Sequence, residues 1–186
     1  EAGSVGAGAG ATVAKALGIE HALKGGIGTA AERTESGITV GALVAVNSWG
    51  EIVDPDSGAV IAGPRGDAPG SFVPTLEVLR KNPPLSPFSK ENSTIGIVAT
   101  DAVLTKEQAN RLAVIAQTGL ARAIRPVHTP VDGDIIFSLA TCRNETQTDV
   151  LQLGALGARA VERAVLSAVL QATALAGLPS VRDWAG

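Results

Sequence analysis

The sequence predicts an α+β fold in one layered domain, and three observations lead to this class. Segments with strand character are mixed with helical ones, without the regular repeat of a parallel βαβ protein. The 186 residues are 45% hydrophobic and 18% charged, a globular composition that is long enough to bury a core. Aromatic residues make up only 3%, so Ala and Gly must pack much of the interior and bring helices and strands close together.

The first block of the chain covers residues 1 to about 53. It opens on a glycine-rich stretch and ends near the run at residues 38–46, which is apolar on both faces, as expected of a buried strand. Residues 54–92 then contain seven of the ten prolines, interspersed with Gly, Ser and Asp. Because proline lacks the N–H that a hydrogen-bond ladder needs, this composition predicts a loop or linker.

The second block begins at Ser93. Residues 94–99 predict a short buried strand. Thr105 and Gln108 form a capping box, which predicts that a helix starts here and continues until Pro126 stops it.

Two further elements complete the second block. Residues 135–140 predict a strand, and residues 149 to about 176 predict a long Ala-rich helix. Small and branched apolar residues recur along this helix near the helical period. Their stripe predicts tight packing on a sheet or on another helix.

Composition also argues against several function classes. The net charge is −3 without a Lys/Arg-rich run, which argues against nucleic acid and anionic membranes as partners. No apolar stretch reaches 18 residues, so no membrane span is predicted. Cys142 is the single cysteine, which excludes an internal disulfide and a Cys-based zinc site and favours a cytoplasmic location. Since the chain starts at Glu1 in interior-like sequence, we expect a fragment or processed product.

Ser93 is the first candidate for chemistry. It lies between the Pro-rich stretch and a predicted strand, after Asn92 and before Thr94. A serine hydroxyl needs a base, and a chain terminus at Ser93 would supply its own α-amine, whose pKa is ordinarily about 7.7–8.0. The pattern alone favours the other interpretation, turn chemistry before a strand.

Polar residues elsewhere offer further candidates. Asp132 and Asp134 lie one residue apart before a strand and can share one site, although an Asp-Gly turn with solvated acids explains them too. Asn47 ends an apolar strand, where its amide can serve an oxyanion or simply make a turn. Lys24, beside two glycines, can place a positive charge near the site or be solvated.

Six motifs occur in order along the chain, at residues 3–12, 24–29, 40–47, 97–102, 119–128 and 132–134. Together they resemble one known family, peptidase family S58. The motifs span nearly the whole sequence, which makes the resemblance specific. That family includes the L-aminopeptidase D-amidase/esterases, the β-peptidyl aminopeptidases and the nylon-oligomer (6-aminohexanoate-oligomer) hydrolases.

The resemblance implies a fold and a way of maturing. The fold is an αββα sandwich like that of N-terminal-nucleophile hydrolases. The precursor cuts itself into two chains that stay together, and the new nucleophile lies eight residues before Asp101, which is Ser93 here. The cut therefore falls between Asn92 and Ser93. It divides the sequence into residues 1–92, with the linker at 54–92, and residues 93–186.

The resemblance also implies roles for individual residues. Asn47 corresponds to the active-site amide and Lys24 to a site lysine, while Asp132 and Asp134 are the acidic pair. A family tyrosine of the oxyanion hole has no counterpart, because this sequence contains no Tyr. We therefore expect a missing N-terminal portion to supply it.

The acidic pair and the nucleophile point to different branches of the family. Two Asp residues at 132 and 134 resemble the nylon-oligomer hydrolase branch, whereas the aminopeptidase/esterase branch has Ser and Glu there. The nylon-oligomer branch usually has Thr as nucleophile, and this chain has Ser93. Thr94 would be the nucleophile if the cut fell one bond later.

The resemblance also implies partners, and two alternative functions stay open. The resemblance implies a small amide, peptide or oligoamide substrate, no metal or organic cofactor, and a homotetramer of cleaved heterodimers. One alternative is a self-cleaving acyltransferase of the ornithine-acetyltransferase kind. Another is a non-enzymatic α/β binding module that uses residues 6–10 as a phosphate loop, although no strand precedes these glycines.

Overall fold

A mixed sheet forms the centre of the structure, a computed structural model that describes residues 1–81 and 92–185. Within these residues the largest sheet has the strand order β3-β4-β7-β9. Its neighbours are antiparallel except β7 and β9, which run parallel. The strands are β3 (Gly26–Arg33), β4 (Thr39–Val46), β7 (Ile95–Ala102) and β9 (Ile135–Asn144).

A layer of helices covers one face of this sheet. It consists of α2 (Lys106–Ala116), α3 (Thr118–Ala123) and α4 (Val150–Leu170). Helix α4 contacts β3 and β4 most extensively, and buried residues of these elements form the core. Close approach requires glycine here: a Cβ on Gly28 would lie 2.1 Å from the carbonyl oxygen of Ala164. The predicted small-residue packing of the long helix is confirmed.

Local signals determine how the helices of this layer begin. The Thr105 side chain accepts the Gln108 N–H while the Gln108 side chain accepts the Thr105 N–H, so the predicted capping box is confirmed. Asp149 caps α4 in the same way, by accepting the Gln152 N–H at 2.7 Å. These bonds satisfy backbone donors that the helix itself leaves without a partner.

The helices end earlier than predicted. The region predicted as one helix after Thr105 forms two, α2 and α3. Helix α3 ends at Ala123, before Pro126, because Ile124 leaves it to pair with Ile52 in a short strand. Helix α4 ends at Leu170, six residues early, because Ser4 holds the backbone of Thr173 in another conformation. The Ser4 hydroxyl donates to the Thr173 carbonyl oxygen and accepts the Thr173 N–H. Both changes are produced by partners that are distant in sequence.

The other face of the sheet is open and apolar. Along β4 the side chains alternate, so that Val40, Val44 and Val46 are buried against the helices while Leu43 is 42% exposed. Cross-strand pairing places Leu43, Ile97 and Phe137 in one row on this open face. The run at residues 38–46 is thus apolar on both faces as predicted, but among the described residues only one of its faces is covered.

The predicted loop at residues 54–92 contains regular structure, and in this respect the prediction was wrong. Strand β5 (Glu51–Val53) pairs with β6 (Val60–Ala62) and with β8 (Ile124–Arg125), and helix α1 (Thr75–Arg80) follows. Helix α1 begins where the buried carboxylate of Glu51 accepts the Thr75 N–H at 2.8 Å. The part of the predicted loop at residues 82–91 lies outside the described residues.

Shorter elements complete the chain. Strands β1 (Thr12–Val13) and β2 (Leu23–Lys24) pair with each other, 3-10 turns lie at Gly6–Gly8 and Ile19–His21, and α5 (Val181–Ala185) ends the described part. None of the helices in the described residues combines the length and the hydrophobicity that crossing a membrane would need. The mixture of helices and sheets confirms the predicted α+β class.

Candidate active site

Ser93 lies two residues before strand β7, and both its hydroxyl and its backbone N–H donate hydrogen bonds. Its hydroxyl donates to the carbonyl oxygen of Asn92 at 2.7 Å. Its backbone N–H donates to the carbonyl oxygen of Asn47 at 3.0 Å. The two groups that would change in a cut of the Asn92–Ser93 bond, the hydroxyl and the amide nitrogen, are therefore both fixed.

A cavity of about 600 Å³ opens beside Ser93 on the open face of the sheet. Apart from the Ser93 hydroxyl and the Asn47 amide, its lining side chains are apolar or glycine. Such a cavity suits an aliphatic group that is aligned by a few polar contacts. The lining residues are Ala7, Gly10, Ala11, Ile27, Leu43, Ala45, Asn47, Ser93, Ile95, Gly96, Ile97 and Phe137.

Lys15 connects the side-chain amide of Asn47, which lines this cavity, to that of Asn92. Its Nζ donates to Oδ1 of Asn47 at 2.7 Å and to Oδ1 of Asn92 at 2.6 Å. Burial lowers the pKa of Lys15 from 10.5 to about 8, although the nearby negative charge of Asp132 opposes this shift. A neutral amine keeps two N–H donors for these bonds and gains a lone pair, so Lys15 can accept a proton near neutral pH.

The structure does not bring Lys24 into this cluster. In the pairing of β1 with β2 Lys24 lies opposite Thr12, and its ammonium donates to the carbonyl oxygen of Ala9 at 2.8 Å. Burial lowers its pKa as well. Lys24 is not among the residues that line the cavity. The lysine that contacts Asn47 is Lys15, which the sequence analysis did not name, and the role of Lys24 as a site lysine stays a prediction.

The acidic pair holds a turn over the Asn92–Ser93 bond. Asp132 accepts the Trp49 N–H at 3.0 Å and the Thr129 hydroxyl. Burial raises its pKa above the ordinary value, assisted by the charge of Asp134 and opposed by these hydrogen bonds and by Lys15. The two carboxylates are therefore close enough to influence each other, which was one of the two interpretations of their spacing.

Asp134 fixes the other end of the same turn. Its carboxylate is 1% exposed and accepts the Thr94 N–H at 2.8 Å and the His128 N–H at 3.0 Å. The His128 ring also approaches it, with Nδ1 3.6 Å from Oδ2. His128 was not a predicted site residue, since a lone histidine in the sequence carries no signal of this contact.

Asn92 is clamped between Lys15 and the acidic turn. Its side-chain nitrogen donates to the carbonyl oxygen of Val131 at 3.1 Å, while its Oδ1 accepts from Lys15. Its backbone forms an isolated parallel bridge with Asp132, and its carbonyl oxygen accepts the Gly133 N–H at 2.8 Å. The residue on the acyl side of the predicted cut is thus fixed through both its side chain and its backbone.

Thr94, the alternative nucleophile, is directed away from the cavity that Ser93 lines. It is fully buried, its Oγ1 has no hydrogen-bond partner among the described residues, and it does not line the cavity. Side chains alternate along a strand, so Thr94 points away from the open face toward which Ser93 is directed.

The variant Thr94→Val is therefore expected to cut and to act like the wild type. The change removes a buried hydroxyl without a partner, so the free energy of unfolding is expected to stay equal or to rise by up to about 1 kcal/mol. Intact mass and thermal unfolding of the two full-length proteins check both points. A Thr94→Val protein that stays in one piece would instead make Thr94 the nucleophile.

The glycine-rich start of the chain does not form a phosphate loop. Gly6–Gly8 makes a 3-10 turn, and strand β1 follows it where a dinucleotide site needs the N-terminus of a helix. A Cβ on Gly8 would lie 2.3 Å from the Ile27 nitrogen, so this stretch is packed against β3. Across residues 1–81 and 92–185 there is no cluster of three or more His, Cys, Asp or Glu placed to hold a metal ion.

The sequence of this chain is similar to sequences of known peptidases. The sequence model of peptidase family S58 matches residues 1–181. An uncharacterized aminopeptidase from Mycobacterium tuberculosis is 41% identical over 184 residues, which cover 87% of this chain and 52% of that protein. One from Mycobacterium leprae is 42% identical over 192 residues, with 96% and 51% covered. The chain spans about half the length of these curated relatives.

Solved structures show the fold. A β-aminopeptidase from a Burkholderia species has a TM-score of 0.66 at 29% identity, covering 96% of this chain and 50% of that one. The L-aminopeptidase D-Ala-esterase/amidase of Ochrobactrum anthropi, described as a variant of the N-terminal-nucleophile hydrolase fold, has a TM-score of 0.60 at 22% identity, covering 95% and 47%. The predicted fold is confirmed.

Proposed function

This chain belongs to peptidase family S58, and we propose that it is the catalytic part of an amide hydrolase that cuts its own Asn92–Ser93 bond. Ser93 is the proposed nucleophile both in that cut and, afterwards, toward substrates. The observation that carries the proposal is the Ser93 hydroxyl at 2.7 Å from the Asn92 carbonyl oxygen. A hydroxyl held against the carbonyl of its own peptide bond needs little movement to attack it.

The proposed cut is an N-to-O acyl shift followed by hydrolysis. The Ser93 oxygen bonds to the Asn92 carbonyl carbon, and its proton passes to the neutral amine of Lys15. The C–N bond then breaks, and the departing Ser93 nitrogen takes the proton back from Lys15. Water hydrolyses the resulting ester, which leaves a carboxylate at Asn92 and restores the hydroxyl of Ser93. The pKa of Lys15 near 8 suits this exchange.

Turnover of substrate uses the same hydroxyl with a new base. The freed α-amine of Ser93 takes the hydroxyl proton, an acyl-enzyme forms, and water releases the product. Asn47 is the proposed donor to the oxyanion. Its Oδ1 already accepts from Lys15 and from the Thr12 N–H at 3.1 Å, which fixes the orientation of its amide.

The proposed substrates are amides whose acyl part is short, aliphatic and ends in a free amine. The relatives described as aminopeptidases support an amine-bearing acyl group. The apolar cavity supports the aliphatic chain, and the Asp132–Asp134 pair supports the nylon-oligomer branch, whose substrates are oligomers of 6-aminohexanoate. Peptides that start with a small residue are the second substrate class.

The open face of the sheet supports a further part of the proposal. Leu43, Ile95, Phe137 and Leu139 are each 42–54% exposed there. Full burial of an exposed side chain of this kind stabilises a protein by about 1.5–3 kcal/mol, so covering these half-exposed ones would contribute roughly half of that each. We propose that the upstream half of the protein supplies the second sheet of the αββα sandwich at this face. The homotetramer and the cytoplasmic location stay predictions.

Purified full-length protein tests the activity. It is expected to hydrolyse the linear dimer of 6-aminohexanoate and the anilide of β-alanine in buffer without an added amine. The N-acetylated forms of both compounds are matched controls and are expected to react much more slowly. Product release that requires an added amine acceptor would favour the acyltransferase alternative over the hydrolase.

A further inference from the structure

The backbone N–H of Gly133 is aimed at the bond that the protein is proposed to cut. It donates to the Asn92 carbonyl oxygen at 2.8 Å, the same oxygen that accepts the Ser93 hydroxyl at 2.7 Å. We infer that this N–H is the oxyanion donor for self-cleavage, which makes Gly133 a catalytic residue of that step. The inference rests on the proposed self-cleavage at Ser93.

The two carboxylates beside Gly133 hold its N–H in this position. Asp132 is fixed to the Trp49 N–H at 3.0 Å and Asp134 to the Thr94 N–H at 2.8 Å. The turn is therefore pinned on both sides of Gly133, to the segment after β4 and to the start of β7. A donor that is fixed before the reaction stabilises developing charge without a cost of reorganisation.

The electron flow of the cut places negative charge where this donor lies. As the Ser93 oxygen bonds to the carbonyl carbon, the π electrons of the C=O bond move onto the Asn92 oxygen. The Ser93 hydroxyl can no longer donate to this oxygen, because its proton has moved to Lys15. The Gly133 N–H stays in place, and its hydrogen bond strengthens as the acceptor becomes charged. When the C–N bond breaks, the electrons return to the carbonyl.

Glycine is required at this position for space. A Cβ on residue 133 would lie 2.9 Å from the Ser93 Oγ and 3.8 Å from the Asn92 carbonyl oxygen. The first distance is too short for a stable contact, so any side chain here would push the hydroxyl out of its present position. The absence of a side chain thus lets one backbone donor and the nucleophile reach the same carbonyl.

Replacing Gly133 by glycolic acid in full-length protein tests the donor, since the resulting ester removes only the N–H. We expect self-cleavage to slow by about 100-fold, the loss found when one oxyanion donor is removed. The matched control is the same glycolic acid replacement at Gly37, whose N–H donates to the Thr34 carbonyl oxygen at 3.0 Å in the turn between β3 and β4, outside the site. It removes a turn hydrogen bond of the same type and is expected to slow cleavage by less than about tenfold.

The outcomes separate the inference from the proposed function. If the wild type is never cut, the proposed self-cleavage fails. If the wild type is cut and the Gly133 ester is cut at the same rate, the role of Gly133 is overturned. Amide hydrogen exchange in uncut Ser93→Ala protein tests the bond even if the ester does not fold. Slow exchange of the Gly133 amide is expected, and exchange as fast as in an exposed loop would also overturn the inference.

Discussion

Full-length protein with Ser93→Ala is expected to remain one polypeptide and to lose amide hydrolysis by at least about 10⁴-fold, because removal of a catalytic serine abolishes the covalent route. Alanine removes the oxygen that attacks the Asn92 carbonyl, so neither the acyl shift nor a later acyl-enzyme can form. Intact mass spectrometry reports the cut, and an assay with 6-aminohexanoate dimer reports the turnover. Two polypeptides from Ser93→Ala would contradict the assignment of the nucleophile.

Two companion variants show that the loss comes from this hydroxyl. Ser93→Thr keeps a hydroxyl at the same position and is expected to be cut. Ser138→Ala is the matched Ser-to-Ala change on strand β9, where the hydroxyl only donates to the Ala109 carbonyl oxygen at 2.6 Å. It is expected to be cut at the wild-type rate, with a free energy of unfolding lower by about 1 kcal/mol.

Lys15→Met is expected to slow self-cleavage by about 10³-fold, within the range for loss of a general base. Below pH 8 most of Lys15 carries its proton, so the wild-type cleavage rate should rise with pH and level off above about 8. The cutting step isolates this effect, because the α-amine of Ser93 does not yet exist. Lys15→Arg keeps a positive charge without a usable lone pair and should be equally slow.

The same substitution has a readout that does not depend on activity. The pKa of Lys15 is about 8 in the folded protein and 10.5 when the side chain is solvated, as in the unfolded chain. Between pH 8 and 10.5 the unfolded chain therefore binds more protons than the folded protein. The contribution of Lys15 to the free energy of unfolding therefore increases as the pH rises from 8 to 10.5. Denaturant unfolding of Lys15→Met should show a smaller rise across this window. An unchanged rise and an unchanged cleavage profile would remove Lys15 from the mechanism.

Features with local causes could be predicted from the sequence. The capping box at Thr105 and Gln108 needs only four consecutive residues, and the small-residue stripe of α4 follows from the helical period. The spacing of Asp132 and Asp134 allowed two interacting carboxylates, although the pattern alone favoured an Asp-Gly turn with solvated acids. The resemblance to the family gave roles to Ser93 and Asn47, which were only candidates from the pattern. The structure brings them together through the bond from the Ser93 N–H to the Asn47 carbonyl oxygen.

Features with distant causes could not be predicted in this way. Lys15 reaches Asn92 across 77 positions of sequence, and nothing next to it in the chain indicates that contact. Lys24 was named because it stands beside two glycines and because the family resemblance implies a site lysine there, and in the structure its ammonium donates to the Ala9 carbonyl oxygen. Helix α1 inside the Pro-rich stretch likewise starts at a backbone donor that is satisfied by Glu51, 24 positions earlier.

The hydrogen bond from the Ser93 nitrogen to the Asn47 carbonyl oxygen, 3.0 Å long, has a consequence for how the uncut precursor is converted into the active enzyme. An amide nitrogen and an amine can both donate to this oxygen, so the same bond can persist through the proposed cut. What changes is the nitrogen lone pair, which the carbonyl shares before the cut and which is basic after it. Activation would then be a change of electronic structure at one atom, and the surrounding scaffold would not need to be rebuilt.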